Sequence, residues 1–121
     1  MTTETPRNFS RIPYQSEAVL KVKGGSFKAP IDNLSLNGVL LKTAEKPGLD
    51  QDVEITIMLA DPASDISLEL NGIVARHTED GLAIRFTGMY LDIFVHLRDL
   101  IGENLGDRRK VLEEFLAYMG G

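Results

Sequence analysis

Short runs in which apolar and polar residues alternate dominate residues 17–86. Successive side chains of a β-strand point to opposite faces, so a period of two is typical of strands with one buried face. Turn-forming residues separate the runs, which favours a small antiparallel barrel or sandwich. We therefore predict a mainly β domain over residues 15–89, with six strands at 17–23, 27–35, 38–43, 53–59, 66–77 and 82–86.

The alternation changes phase within the run at 66–77. Apolar residues occupy even positions before Gly72 and odd positions after it, at Ile73 and Ala75. An extra residue in one strand shifts its pairing and bends it. We expect a bulge or corner at Gly72, with Ile73 and Ala75 turned inward.

The apolar period becomes helical after Met89, which predicts a C-terminal helical extension over residues 90–121. The first helix is expected to break at the sequence GENLGD, residues 102–107. A second helix is predicted at 107–119, with Asp107 as its N-cap. Its apolar stripe is expected to pack on the barrel or the first helix, or to form a partner or dimer face. This stripe consists of Val111, Leu112, Phe115, Leu116 and Met119.

Length and composition place the chain among single-domain proteins. Its 121 residues suit one core. No apolar run approaches the roughly 18 residues that span a bilayer, and the first residues lack the apolar segment of a secretory signal. The absence of cysteine fits a reducing compartment. We expect a cytoplasmic protein without a membrane association.

The net charge of −5 is unevenly distributed: residues 1–49 carry +3 and residues 50–121 carry −8. A duplex binder usually has a large basic surface, so DNA and RNA are not expected partners. A small anion requires only two or three guanidinium groups. Arg7 and Arg11 lie four residues apart in an N-terminal arm, residues 1–14, that has no sustained period and is expected to be flexible.

A polar notch is predicted at the end of the second strand, 27–35. Strand geometry places Asn33 and Ser35 on one outer face, with Leu34 facing the core between them. Gly38 follows at a position where the backbone needs a positive φ or where a ligand comes close. The two arginines of the arm could fold across this notch.

These motifs resemble those of the PilZ domain family. The resemblance rests on an RxxxR motif at residues 7–11 and a [D/N]xSxxG motif at 33–38. The sequences LELNGIVARH and GLAIRF, at 68–77 and 81–86, also resemble the paired strands of that family. The resemblance extends over residues 6–101. It implies a six-stranded antiparallel β-barrel with C-terminal helices that binds the bacterial second messenger cyclic di-GMP.

The resemblance also implies roles for particular residues. Arg7 and Arg11 would contact the phosphates and guanines, since guanidinium forms bidentate bonds with phosphate and with the guanine O6/N7 edge. Asn33 and Ser35 would read a guanine edge, and Gly38 would let the backbone turn beneath it. Many family members have Asp where this chain has Asn33, which offers one acceptor oxygen instead of two. Apart from the resemblance, Arg76 and Arg85 are candidates for further ligand contacts, although each also suits an exposed strand position.

The proline-flanked arm and the pair of motifs together indicate a mechanism of signalling without catalysis. Residues 1–13 would be disordered until the ligand orders the arm across the barrel, and an unidentified effector protein would read the new surface. Pro6, just before the first arginine, favours one ligand molecule per chain. No metal or cofactor is expected, and the protein would be a monomer or a dimer through its C-terminal helix.

Two alternatives remain open. The first is a PilZ-like protein-interaction module that does not bind the nucleotide. The second is a flavin-binding split-barrel oxidoreductase, which would share the all-β frame. A hydrolase is not expected because Ser35 has no histidine partner at a recognisable spacing. His77 and His96 lie in different predicted elements, which disfavours a metal site.

Overall fold

The computed structural model describes residues 9–59 and 67–120. Ile66, at the start of one predicted strand, lies outside the described residues. The strands are β1 (Ile12–Pro13), β2 (Glu17–Val22), β3 (Gly25–Leu34), β4 (Gly38–Lys42), β5 (Asp52–Met58), β6 (Ser67–His77) and β7 (Gly81–Gly88). The helices are α1 (Leu91–Leu105) and α2 (Arg108–Gly120).

Strands β2 to β7 close into a six-stranded antiparallel barrel. Their order is β3-β2-β5-β6-β7-β4, and β4 pairs again with β3 to complete the ring. Strand β1 lies outside this ring and pairs with the last residues of β3. The mainly β class and the six-stranded barrel are therefore confirmed.

Inward-facing apolar side chains alternate along the barrel strands and form one core. In β5, Val53, Ile55 and Ile57 are buried, whereas Glu54 between the first two is exposed. Full burial of each such aliphatic side chain contributes about 1.5–3 kcal/mol. The period of two therefore fixes which face of each strand points inward.

The pairing is irregular at Gly72, but the predicted change of face is wrong, because the extra residue there is Thr87 of β7 and not a residue of the strand that carries Gly72. The pairing of β6 with β7 shifts between Asn71 and Gly72. Even-numbered residues nevertheless stay inside, because Gly72 and Val74 are buried while Ala75 is exposed. A Cβ atom at Gly72 would lie 2.8 Å from the Arg85 carbonyl oxygen of β7. Glycine is needed here because β7 passes too close for a side chain.

Helix α1 ends after Leu105, within the break predicted at 102–107, although it continues through Gly102. Gly102 is buried, and a Cβ atom there would lie 3.3 Å from the Cα atom of Arg108. Glycine in a helix interior costs about 1 kcal/mol, and the close approach of the two helices offsets this cost. The C-cap of the helix is Gly106, whose left-handed backbone (φ 77°) donates a hydrogen bond to the Gly102 carbonyl.

Helix α2 is capped as predicted, and its apolar stripe is divided between two faces. Asp107 Oδ1 accepts a hydrogen bond of 3.0 Å from the Lys110 backbone N–H. Val111 and Phe115 are buried, and the Phe115 ring lies 4.7 Å from that of Phe94 in α1. The exposed members of the stripe are Leu112, Leu116 and Met119. Among the described residues, no helix is long and apolar enough to cross a membrane.

Candidate functional site

Strand β1 places Arg11 at the barrel surface beside the end of β3. Ile12 is buried, at 1% exposure, and pairs with Leu34, while Pro13 pairs with Asn33. Arg11 itself is exposed, and its Nη1 donates a 3.4 Å hydrogen bond to Asn33 Oδ1. A guanidinium carries five N–H donors. Arg11 therefore has donors available for a second acceptor.

Residues 9–14 of the arm contact the rest of the protein. Residues 1–13 were expected to be disordered before ligand binding, yet Ile12 and Pro13 form β1. Ser10 is hydrogen-bonded to Glu114 of α2. A two-residue strand is too short to show a period, so its sequence carries no strand signal. Arg7 lies outside the described residues, so its placement stays a prediction.

Ser35 lies just beyond the end of β3 and fixes a tight turn. It is 3% exposed, and its Oγ donates a 2.7 Å hydrogen bond to Asn37 Oδ1. Its backbone N–H donates to the Gly38 carbonyl at 2.9 Å. Because β3 ends at Leu34, the period of two does not extend to Ser35, and its hydroxyl bonds to Asn37 while the Asn33 amide bonds to Arg11. The turn instead orients Asn37 and Gly38.

Asn37 was not among the residues that sequence reasoning selected for the site. The signal was available, because serine and asparagine side chains two residues apart commonly bond each other's backbone in turns. The Asn37 N–H lies 3.4 Å from Ser35 Oγ, and its carbonyl accepts a bond from the Phe86 N–H of β7. Asn37 therefore joins the turn to the neighbouring strand.

Gly38 is required by close packing against β7. A Cβ atom on Gly38 would lie 2.6 Å from the Ile84 carbonyl oxygen. Positive φ angles among the described glycines occur at Gly24 and Gly106. Of the two reasons expected for Gly38, a positive φ is therefore wrong and a close ligand stays a prediction, while the close approach of a neighbouring strand requires glycine here.

An open cleft of about 160 Å³ brings most of the predicted residues together on the outside of the barrel. Its lining includes Arg11, Ser35, Gly38, Arg76 and Arg85. The other lining residues are Asn37, Val39, Leu40, Ala75, Ala83 and Ile84. Asn33 is outside this set and is connected to it through its bond with Arg11.

Strand pairing explains how two distant arginines reach the same cleft. Arg85 of β7 lies opposite Gly38 of β4 on one side and opposite Ile73 of β6 on the other. A register shift between Val74 and Arg76 follows on β6. Arg76 and Arg85 are both exposed. The base of the cleft is therefore formed by β4, β7 and β6, with Arg85 on β7 and Arg76 on β6.

The cleft is cationic although the protein is acidic overall. Arg11, Arg76 and Arg85 contribute three guanidinium groups, and its lining among the described residues includes no carboxylate. Guanidinium binds phosphate and carboxylate through charge-assisted, often bidentate hydrogen bonds. The described part of the chain contains no group of three or more potential metal ligands. The arrangement is suited to binding an anion with planar hydrogen-bonding groups.

Solved structures share this fold, and three of them show the extent of the similarity. An inhibitor of motility from Bacillus subtilis (MotI/DgrA) aligns with a TM-score of 0.69 and 14% identity, over 88% of this chain and 55% of that one. The PilZ domain of CeSA from a cellulose-synthesizing bacterium aligns with a TM-score of 0.60 and 19% identity, over 76% and 94%. The PilZ domain of YcgR from Escherichia coli, solved with c-di-GMP, aligns with a TM-score of 0.64 and 14% identity, over 90% and 98%.

Coverage differs among these proteins. The chain spans about the whole of the YcgR domain but only 55% of the motility inhibitor. No curated protein sequence matches it. The sequence model of the PilZ domain, in contrast, matches residues 5–103. This match includes both the RxxxR motif and the turn at 33–38. The chain therefore belongs to the PilZ domain family.

Proposed function

We propose that this protein is a bacterial receptor for cyclic di-GMP that signals to a partner protein. The observation that carries the proposal is the cationic cleft, in which Arg11, Arg76 and Arg85 surround the Ser35–Gly38 turn. Membership of the PilZ family and the similarity to the YcgR domain solved with c-di-GMP support it. The family match gives no support to the flavin-binding alternative.

The chemistry of the ligand fits the groups around the cleft. Cyclic di-GMP carries two phosphates and two guanines. Arginine binds both, through phosphate oxygens and through the guanine O6/N7 edge. In this proposal Arg11 exchanges its long bond to Asn33 for a ligand contact, and the Asn33 amide oxygen accepts from the guanine N–H groups. Binding requires no catalytic group, so none is assigned.

The small size of the cleft gives the arm a role. Pockets that enclose a drug-sized ligand usually measure about 300–1,000 Å³, whereas this cleft measures about 160 Å³. A dinucleotide would therefore project beyond it. We propose that Arg7 and the adjoining residues of the arm cover the projecting part, and that an effector protein recognises the resulting surface. A second messenger acts inside the cell, so the proposal places the protein in the bacterial cytoplasm.

Isothermal titration with cyclic di-GMP tests the proposal. An Arg7→Ala/Arg11→Ala variant loses at least two charge-assisted contacts, each contributing about 1.5–3 kcal/mol, so its affinity should fall on the order of a hundredfold or more. An Arg109→Ala/Lys110→Ala variant removes two exposed cationic side chains from α2 and serves as the charge-matched control. Its affinity should stay within about threefold of the wild type, because these charges are exposed and screened.

Each result has a clear meaning. Micromolar or tighter binding that only the arm variant loses would support the receptor. Equal losses in both double variants would indicate general charge attraction and would contradict the specific site. No binding by the wild type would overturn the proposal and favour the PilZ-like interaction module that does not bind nucleotide.

A further inference from the structure

Helix α2 contacts the arm at the residue that precedes Arg11. The Ser10 backbone N–H donates a 2.9 Å hydrogen bond to Glu114 Oε1. The Ser10 hydroxyl donates a 2.6 Å bond to the other carboxylate oxygen, Oε2. Both bonds are partly buried and join residues 104 positions apart in the sequence. We refer to this pair of bonds between Ser10 and Glu114 as the arm clasp.

An aromatic contact supports the arm clasp on the same side. The Phe9 ring lies 5.3 Å from the Tyr118 ring at an interplanar angle of 53°. Tyr118 in turn meets Phe94 of α1 edge-to-face at 5.4 Å. Tilted and edge-to-face aromatic pairs at these separations are favourable. Helix α2 therefore contacts both Phe9 and Ser10. The contact between Tyr118 and Phe94 connects α2 to α1.

The backbone of Arg11 is consequently fixed on both sides. The arm clasp holds Ser10 before it, and the pairing of Ile12 with Leu34 holds the residue after it. Between these anchors, the Arg11 side chain lines the cationic cleft. Without the arm clasp, this part of the arm would depend on the Phe9–Tyr118 ring contact and the short strand β1.

We infer that Glu114 is a positioning residue for the ligand, because it holds the arm where Arg11 meets the cleft. This inference rests on the proposed function. A group that is held in its binding position before the ligand arrives loses less conformational entropy on binding. Helix α2 is therefore part of the binding unit, although it contributes no residue to the lining of the cleft.

Titration with cyclic di-GMP tests the inference in the full chain. Glu114→Ala removes both acceptors of the arm clasp, and its affinity should fall about tenfold or more. Glu113→Ala removes the same charge from the neighbouring exposed residue and should bind within about twofold of the wild type. Circular dichroism establishes that the variants are folded.

A double-mutant cycle separates positioning from a general effect on structure. Ser10→Ala removes only the hydroxyl donor and should weaken binding severalfold. If both residues act through the arm clasp, Ser10→Ala adds little in a chain that already carries Glu114→Ala, so the losses are not additive. Should Glu114→Ala fail to fold, Ser10→Ala alone carries the test, since Ser10 lies on the arm and outside the core.

The outcomes distinguish this inference from the proposed function. Wild-type binding that Glu114→Ala and Ser10→Ala leave unchanged would overturn the positioning role and leave the receptor intact. Tighter binding by Glu114→Ala would also overturn it, because the arm clasp would then oppose the ligand. Losses that simply add in the double variant would point to two independent effects and contradict the arm clasp. No binding by the wild type would overturn the receptor and this inference with it.

Discussion

Single residues determine whether the strands around the cleft can approach one another. Gly38 begins β4 at the point where the Ile84 carbonyl of β7 leaves no space for a Cβ atom. Ser35, which accepts and donates within the same turn, is buried at 3% exposure. The [D/N]xSxxG motif therefore has a structural role in the turn, in addition to the ligand contacts proposed for it.

Gly38→Ala should destabilise the fold. The added Cβ atom would lie 2.6 Å from the Ile84 oxygen, so β4 and β7 must separate. Overpacking of this kind costs about 1–3 kcal/mol, measurable as a lower midpoint of urea unfolding. Gly25→Ala is the matched control, because a Cβ atom at Gly25 meets nothing within 4 Å. Equal stability of the two variants would contradict the role assigned to close packing at Gly38.

At the scale of elements, the alternating pattern was sufficient to predict the six barrel strands, because one-sided burial imposes a period of two. The sequence did not reveal β1, since two residues cannot display that period. The break predicted at 102–107 contains the observed end of α1, but the sequence did not show that Gly102 stays helical, because its burial against Arg108 is a tertiary effect. The contact between Ser10 and Glu114 has no sequence signal either, because it depends on how α2 packs.

The candidate site was predicted only in part, because local motifs are visible in the sequence and tertiary pairing is not. Local motifs identified Arg11, Ser35 and Gly38, which lie close to one another in the structure. Arg76 and Arg85 were named as candidates, but their meeting in the cleft depends on the pairing of β6, β7 and β4, which a single sequence does not specify.

The N-cap of α2 offers a prediction at this scale. Asp107→Ala removes the acceptor of the Lys110 N–H and should lower the free energy of unfolding by about 1 kcal/mol. Asp107→Asn keeps an acceptor oxygen and should retain most of the stability, since asparagine is a comparably good N-cap. Urea unfolding followed by circular dichroism measures both. A loss in Asp107→Asn as large as that in Asp107→Ala would indicate that the negative charge matters and the hydrogen bond does not.

For the whole molecule, the proposed role of the arm clasp implies that ligand binding and the contact of α2 with the arm are thermodynamically linked. If α2 raises affinity by holding the arm, then the ligand must stabilise the contact of α2 with the arm by the same factor. Cyclic di-GMP should therefore slow amide hydrogen exchange at residues 9–13 and within α2, on the order of tenfold. This protection would extend to a helix that contributes no residue to the lining of the cleft.

Hydrogen exchange measured by mass spectrometry, with and without cyclic di-GMP, tests this coupling. In the wild type, the protected peptides should include Arg108–Gly120 of α2 as well as the turn at 35–38. Glu114→Ala at saturating ligand should keep the protection of the turn and lose that of α2, whereas the Glu113→Ala control should keep both. Protection confined to the turn and the barrel strands in the wild type would contradict the coupling. If α2 stays protected in Glu114→Ala, another contact must couple the helix to the cleft. Comparison of Glu114→Ala with Glu113→Ala therefore tests whether the Glu114 carboxylate provides the coupling.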